Sequence, residues 1–353
     1  MDLAIGSRIG RRRVSGRWRN IGLSALLIGL LAGCSATAGA PPAAAPAGPS
    51  AGNYHVTVQN CGRTVVVNAP PQRAITIDQP ATELLLTLGL ADRMVGTASW
   101  SDPVLPDLAA ENAKVPVLSN DHPSLERVLS EKPDFIYAIF DWSFTDEGVA
   151  PRDRFESLGV PTYQSSSECT GQNAQQERAL TPDDLYAEIS DVATIFGVSE
   201  RGEELISSLS SRMATAADGL DANGLSLMWW YSSTKAPYIA GCCGAPGIIT
   251  EAVGATNAFA DNRQLWPEIS WEAILDRDPD VLVLADLTRG DDGDSIAAKI
   301  EFLESDPVAS QLTAVRERRW IVLSGSEMDP SLRNVDAVEK VAAGLRSLGM
   351  VDR

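Results

Sequence analysis

Histidine is almost missing: His55 and His122 are the only two in 353 residues, one near the start of the folded region and one before a proline in a polar loop. A histidine-based catalytic triad, or a zinc or manganese site built from several imidazoles, is therefore not expected, and both rings are expected to face solvent. Enzyme signatures are missing too. No Gly-x-Ser-x-Gly elbow lies between a strand and a helix, and there is neither a His-Glu-x-x-His pair nor a phosphate-binding glycine loop. The chain reads as a non-enzyme with no resident cofactor and no metal site. Positive charge is also scarce, 29 Lys and Arg against 47 Asp and Glu, which argues against nucleic acid as a partner. Beyond residue 33 no stretch approaches twenty apolar residues, so no later segment is expected to cross a membrane.

What is present begins at the N-terminus. Arg8, Arg11, Arg12, Arg13, Arg17 and Arg19 precede an apolar run from Ile21 to Leu30 and then Leu31-Ala32-Gly33-Cys34. Basic, apolar and small-residue regions in that order form a signal peptide, residues 1–33. A cysteine at the cleavage point suits lipid attachment, with Cys34 as the acylated N-terminus of the mature protein. Residues 34–53, rich in Ala, Pro and Gly, read as a disordered tether. Processing removes six arginines and one aspartate, so the formal charge of −18 becomes −23. Of the remaining cysteines, Cys61 and Cys169 sit in polar stretches at the ends of strands in the same half, and a disulfide between them is expected in an oxidising compartment. Cys242 and Cys243 can form a strained ring, bind a soft metal or simply pack.

From residue 54 apolar strand-like runs alternate with amphipathic helical ones, the pattern of an α/β fold. The sequence from Ser124 to Tyr137 aligns without a gap to that from Ser270 to Val283, 146 residues further on. Each copy offers a serine N-cap, a short helix, a Pro-Asp turn and a buried strand. Two similar α/β lobes follow, residues 54–180 and 220–353. The helical region 181–219 between them opens at Thr181-Pro182-Asp183-Asp184, breaks near Phe196-Gly197-Val198 and then runs long enough to make a rod. One long helix joining the lobes allows them little relative motion.

These features resemble the ABC-importer binding proteins for ferric siderophores, haem and cobalamin. The resemblance rests on Pro70-Pro71-Gln72-Arg73-Ala74-Ile75-Thr76, on Ala81-Thr82-Glu83-Leu84-Leu85 with Leu88-Gly89-Leu90 behind it, on the two Ser-x-Glu helices and on Gly244-Ala245-Pro246-Gly247. It implies a monomer that hands a small ligand to a permease and its ATPase, docking through Glu126 and Glu272, one on each lobe. The ligand then lies between the lobes, at loops that end the strands. Gln79, Trp100, Trp142, Trp230, Tyr231, Tyr238 and Trp266 are the candidate ligand contacts, with Arg333 as a candidate partner for an anionic group. A ferric siderophore is the first expectation for the cargo, ahead of cobalamin, haem or a deazaflavin-coenzyme precursor. The acidic, tryptophan-rich cleft favours a neutral or cationic complex over an anionic catecholate. An alternative of another kind is a metal, thiol-redox or sensor lipoprotein using Cys242-Cys243.

Overall fold

The computed structural model describes residues 54–171 and 173–351; Cys34 and the leader and tether around it lie outside the described residues. An antiparallel hairpin comes first, β1 (Val56–Asn60) and β2 (Arg63–Val67). Its turn residues Cys61 and Gly62 both have positive φ, 50° and 73°, the combination a two-residue hairpin turn requires. Cys61 is disulfide-bonded to Cys169, with Cα atoms 5.0 Å apart. Beside it Asn60 accepts from the Gln164 amide at 3.0 Å and donates to the Gln164 carbonyl at 2.7 Å. Side chain and disulfide together fasten the hairpin to the end of a neighbouring strand.

Five parallel strands form the first lobe's sheet: β3 (Ala74–Ile77), β4 (Met94–Ala98), β5 (Val117–Ser119), β6 (Phe135–Ala138) and β7 (Thr162–Gln164), in the order β5-β4-β3-β6-β7. The second lobe has four, β8 (Ser226–Trp230), β9 (Thr256–Asn257), β10 (Val281–Asp286) and β11 (Trp320–Ser324), in the order β11-β10-β8-β9, also parallel. The central strands β3, β6 and β10 are almost wholly buried, as parallel strands covered on both faces must be. In each sheet the winding reverses direction beside the first strand, between β3 and β6 and between β8 and β10. The mouths of those two points face the same cleft.

The internal repeat does the same job in both lobes. Ser124 caps the helix Leu125–Ser130 by accepting from the Arg127 amide at 3.2 Å, and Ser270 caps Trp271–Arg277 from Ala273 at 3.3 Å. The aspartates of the two Pro-Asp turns then pin the start of each lobe's first parallel strand. Asp134 accepts from the amides of Gln72 and Arg73 at 2.8 and 2.9 Å, and Asp280 from the amide and hydroxyl of Ser226 at 2.8 and 2.7 Å.

Between the lobes the helical region is a hairpin rather than one rod. The helix Pro182–Ile195 packs along the first lobe, and Tyr54 donates to its last carbonyls. Gly197, at φ 68°, lets the chain turn back. In the returning helix Ser199–Ala217 the lack of a side chain at Gly202 makes room for Ala193, whose Cβ would lie 2.5 Å from an added methyl. This second helix is the bridge. Arg201 near its start donates to Leu88 O of the first lobe at 2.9 Å, while Arg212 near its end pairs with Glu339 of the second at 2.8 and 2.9 Å. Its 19 residues span about 28 Å at the α-helical rise. A second crossing precedes it: residues 173–180, assigned to the first lobe from sequence, hydrogen-bond to the second through Gln176 with Arg263 and Leu180 with Cys243.

The lobes also meet through a buried ion pair. Arg333, at the start of the last helix, pairs through both arms of its guanidinium with Glu83, Nε to Oε2 at 2.8 Å, and donates to Pro103 O at 2.7 Å. Gln79 and the Leu105 amide donate to the other Glu83 oxygen at 3.0 and 3.2 Å. Next to them Asp102 of the first lobe accepts from the amide and hydroxyl of Ser326 of the second at 2.8 and 2.6 Å. The side chains of Glu83 and Arg333 are 1% and 8% exposed, so neither charge has water to fall back on. Arg333→Met should therefore cost about 3–5 kcal/mol of stability, with partial recovery in Arg333→Met/Glu83→Gln. Urea unfolding measures this; a loss no larger than that of a surface pair, about 1 kcal/mol or less, would mean that the lobes are not held here.

Candidate functional site

The loops that leave the C-terminal ends of the strands converge on a cleft of about 540 Å³ between the lobes. That volume suits a single small ligand. From the first lobe come Asp78 and Gln79 after β3, Ser99 and Trp100 after β4, His122 ahead of the first repeat helix, and Phe140 and Trp142 after β6. The second lobe supplies Tyr231 and Tyr238 around the loop after β8, Trp266, Arg289 after β10, and Asp329 beyond β11.

The first lobe's wall is aromatic and anchored from behind. The Trp100 indole donates to Thr97 Oγ1 at 3.1 Å. Trp142, 41% exposed, stacks on Phe140 with centroids 5.6 Å apart, and His122 meets it edge-on at 4.0 Å. His122 Nε2 is 3.2 Å from Ser143 Oγ, and burial lowers its pKa. This ring belongs to the cleft wall, not to open solvent as expected from its polar surroundings in sequence. Across the cleft Tyr231 and Trp266 lie 5.0 Å apart, and the loop between Tyr231 and Tyr238 closes on itself through backbone bonds of 2.9 and 3.0 Å. Aromatic faces on both sides give a ligand a large contact area at little entropic cost.

The floor is acidic. Asp78, at φ 76°, accepts from the amides of Ile139 and Phe140 at 3.1 and 3.3 Å and from the Ser143 hydroxyl at 3.0 Å. Burial nevertheless pushes its carboxyl up to about 6. Asp329 is 8% exposed, and its backbone carbonyl accepts from Asn334 at 2.8 Å. Burial, and then the charges of Asp102 and Asp78, push its carboxyl up to about 8 against the pull of Arg289. Arg289 is itself committed to Asp294, at 2.7 and 3.2 Å, and lies 5.6 Å over the Tyr231 ring.

Two residues expected at the cleft are elsewhere. Trp230 is fully buried in the second lobe's core, 4.9 Å from Trp271, with its indole donating to Ser232 O and Ser233 O at 3.0 and 2.9 Å. β8 is covered on both faces, so Trp229 and Trp230 serve opposite sides of the core and Tyr231 is the first side chain free to enter the cleft. Arg333 is paired with Glu83 and is not among the residues that line the cleft. Gln79, Trp100, Trp142, Tyr231, Tyr238 and Trp266 do come together. Arg289, Asp329 and His122 are additions. Arg289 could have been found by extending to β10 the strand-end reasoning that picked out Tyr231.

Glu126 and Glu272 are exposed, each in the first turn of its repeat helix. Cys242 and Cys243 lie against one another as a vicinal pair and are not part of the cleft wall. Among the described residues no cluster of His, Cys, Asp and Glu could hold a metal ion, and no helix is long and apolar enough to cross a membrane.

Comparison with known proteins agrees with this architecture. Residues 75–326 match the family model described as periplasmic binding protein. The chain is 24% identical over 282 residues to the vitamin B12-binding protein of Vibrio cholerae, covering 78% of this chain and 90% of that one. With the vitamin B12-binding protein of Pectobacterium carotovorum it shares 25% over 265 residues, covering 74% and 85%. Among solved structures, a periplasmic binding protein from Veillonella parvula superposes with a TM-score of 0.73 at 27% identity, over 83% of this chain and 98% of that one. The protein of an ABC-type Fe3+-hydroxamate transport system from Saccharomonospora viridis does so with 0.70 at 26%, over 83% and 99%.

The raised carboxyls give the cleft a pH signature. Asp78 and Asp329 hold protons in the folded chain that an unfolded aspartate releases near pH ~4. Their contribution to stability is therefore complete at low pH and is lost as pH rises through about 6 for Asp78 and about 8 for Asp329. We expect the unliganded protein to unfold at a lower temperature at pH 8.5 than at pH 5, and Asp329→Asn to shrink that difference. An unchanged pH slope in the variant would show that Asp329 ionises as freely as an exposed aspartate.

Proposed function

This chain belongs to the periplasmic binding protein family, and on that premise we propose that it captures a ferric siderophore of the hydroxamate type outside the cell and delivers it to an ABC permease. The observation that carries the reading is the cleft itself: aromatic on both walls, acidic on its floor, and with its one arginine, Arg289, already paired. A trianionic catecholate chelate would meet carboxylates it cannot neutralise, whereas a neutral or cationic hydroxamate chelate meets rings and acceptors. The Saccharomonospora viridis protein belongs to a Fe3+-hydroxamate transport system, which favours the same class. A corrinoid is the second reading, supported by the vitamin B12-binding proteins among the relatives.

Titration with ferric hydroxamates, ferric catecholates, cobalamin and haemin, followed by quenching of the cleft tryptophans and checked by calorimetry, separates these cargoes. We expect saturable binding of a ferric hydroxamate at micromolar or lower concentration. Tight binding of cobalamin alone would transfer the assignment to the corrinoid.

Delivery rests on Glu126 and Glu272, whose matched positions on the two repeat helices set one exposed carboxylate on each lobe. Charges so placed steer and orient docking more than they add affinity. Retention at the membrane rests on Cys34, read from the leader sequence. The double variant Glu126→Ala/Glu272→Ala should lose uptake and keep its ligand affinity, and Cys34→Ala should leave the membrane fraction. A drop in ligand affinity in the first, or membrane retention in the second, contradicts the respective role.

A further inference from the structure

Charge balance in the cleft says something about the ligand that its shape does not. Asp329 comes from the second lobe and Asp78 from the first, and both line the cleft. Asp329 is more than nine-tenths buried, and among the described residues neither a hydrogen-bond donor nor a cation contacts its carboxyl. Asp78 has its three donors on one oxygen; among the described residues its other oxygen has only His122 near it, at 4.0 Å. The titratable groups coupled to Asp329 are Asp78, Asp102, Glu168, Tyr231 and Arg289. Arg289 is the one cation among them and is bound to Asp294, so none of them supplies a free positive group.

A buried carboxylate without a partner is costly, and the cost disappears if a bound molecule brings the cation. A bare metal ion does not fit this description, since the described carboxylates do not converge as a ligand set. An organic ammonium needs no fixed coordination geometry, and it gains further from aromatic faces such as those of Trp142, Tyr231 and Trp266. We propose that the cleft selects ligands carrying a protonated amine, with the ammonium seated between Asp78 of one lobe and Asp329 of the other and the rest of the ligand against the aromatic walls. This rests on the binding-protein reading above and adds to it where the ligand's charge sits.

The test uses matched probes that do not depend on knowing the cargo. The purified full chain is titrated with n-pentylammonium and, separately, with n-pentanol, and binding is read by ligand-observed NMR and by tryptophan fluorescence. We expect n-pentylammonium to bind at least about ten-fold more tightly than n-pentanol, as a charge-assisted contact in a partly dry site requires. Asp329→Asn, which keeps the shape and removes the charge, should bring the two within about two-fold of each other, with n-pentanol unaffected. The second arm compares a ferric trihydroxamate bearing a free terminal amine with its N-acetylated form, and the same preference is expected. Equal binding of the two pentyl probes by the unaltered protein overturns the proposal without recourse to any variant. A pentylammonium preference that survives Asp329→Asn overturns the placement of the charge. If the ammonium preference holds while neither ferric hydroxamate binds, the ammonium site stands and the hydroxamate assignment falls.

Discussion

The Glu83–Arg333 ion pair is where this molecule becomes one body instead of two. It joins the first helix of one lobe to the last helix of the other, and Gln79, the Leu105 amide and the Pro103 carbonyl are recruited to make its burial tolerable. The pairing has a geometric consequence for the cleft. Gln79, which braces Glu83, directly follows Asp78, so the support of the ion pair and the lining of the cleft are adjacent in the chain. The bridging helix and the strap at 173–180, which passes to the second lobe and back, add further covalent crossings that restrain a wide hinge opening.

Where the lobes are restrained in this way, discrimination rests more on what the walls display, and those are rings and acids. Asp78 is the clearer example. Its left-handed backbone and its three donors place one oxygen firmly while the other is left toward the cleft, an arrangement that orders the group without satisfying it. With both carboxyls raised by burial, the ammonium seat proposed above would couple ligand recognition to proton release.

Much of this could be read from the residues in order. The repeat at 124 and 270 was visible as letters, and its meaning survives in three dimensions: the same serines cap, and the aspartates of the same Pro-Asp turns hold the lobes' first strands. What the letters hide is anything set by a distant partner. Arg333 reads as a partner for a ligand's anionic group because its carboxylate stands 250 residues earlier. Trp230 reads like Tyr231 because a strand buried on both faces has no alternation to tell inside from cleft. His122 reads as solvent-exposed until Trp142 and Ser143, some twenty residues later, fold back on it. The strap at 173–180 was assigned to the first lobe because its bonds go to Arg263 and Cys243, which nothing in its own composition announces.

That strap also sets an order of events. A chain made N-terminus first can complete the hairpin, the five-stranded sheet and the Cys61–Cys169 link from residues up to about 195, all of them local to the first lobe. Residues 173–180 have no partner at that stage, because Cys243 and Arg263 have yet to emerge. The first lobe is thus born with an unfilled seam along one side, and the arrival of the second lobe both fills the seam and builds the opposite wall of the cleft. Ligand capture cannot precede completion of the chain, so a truncated product has no way to sequester cargo it could not deliver.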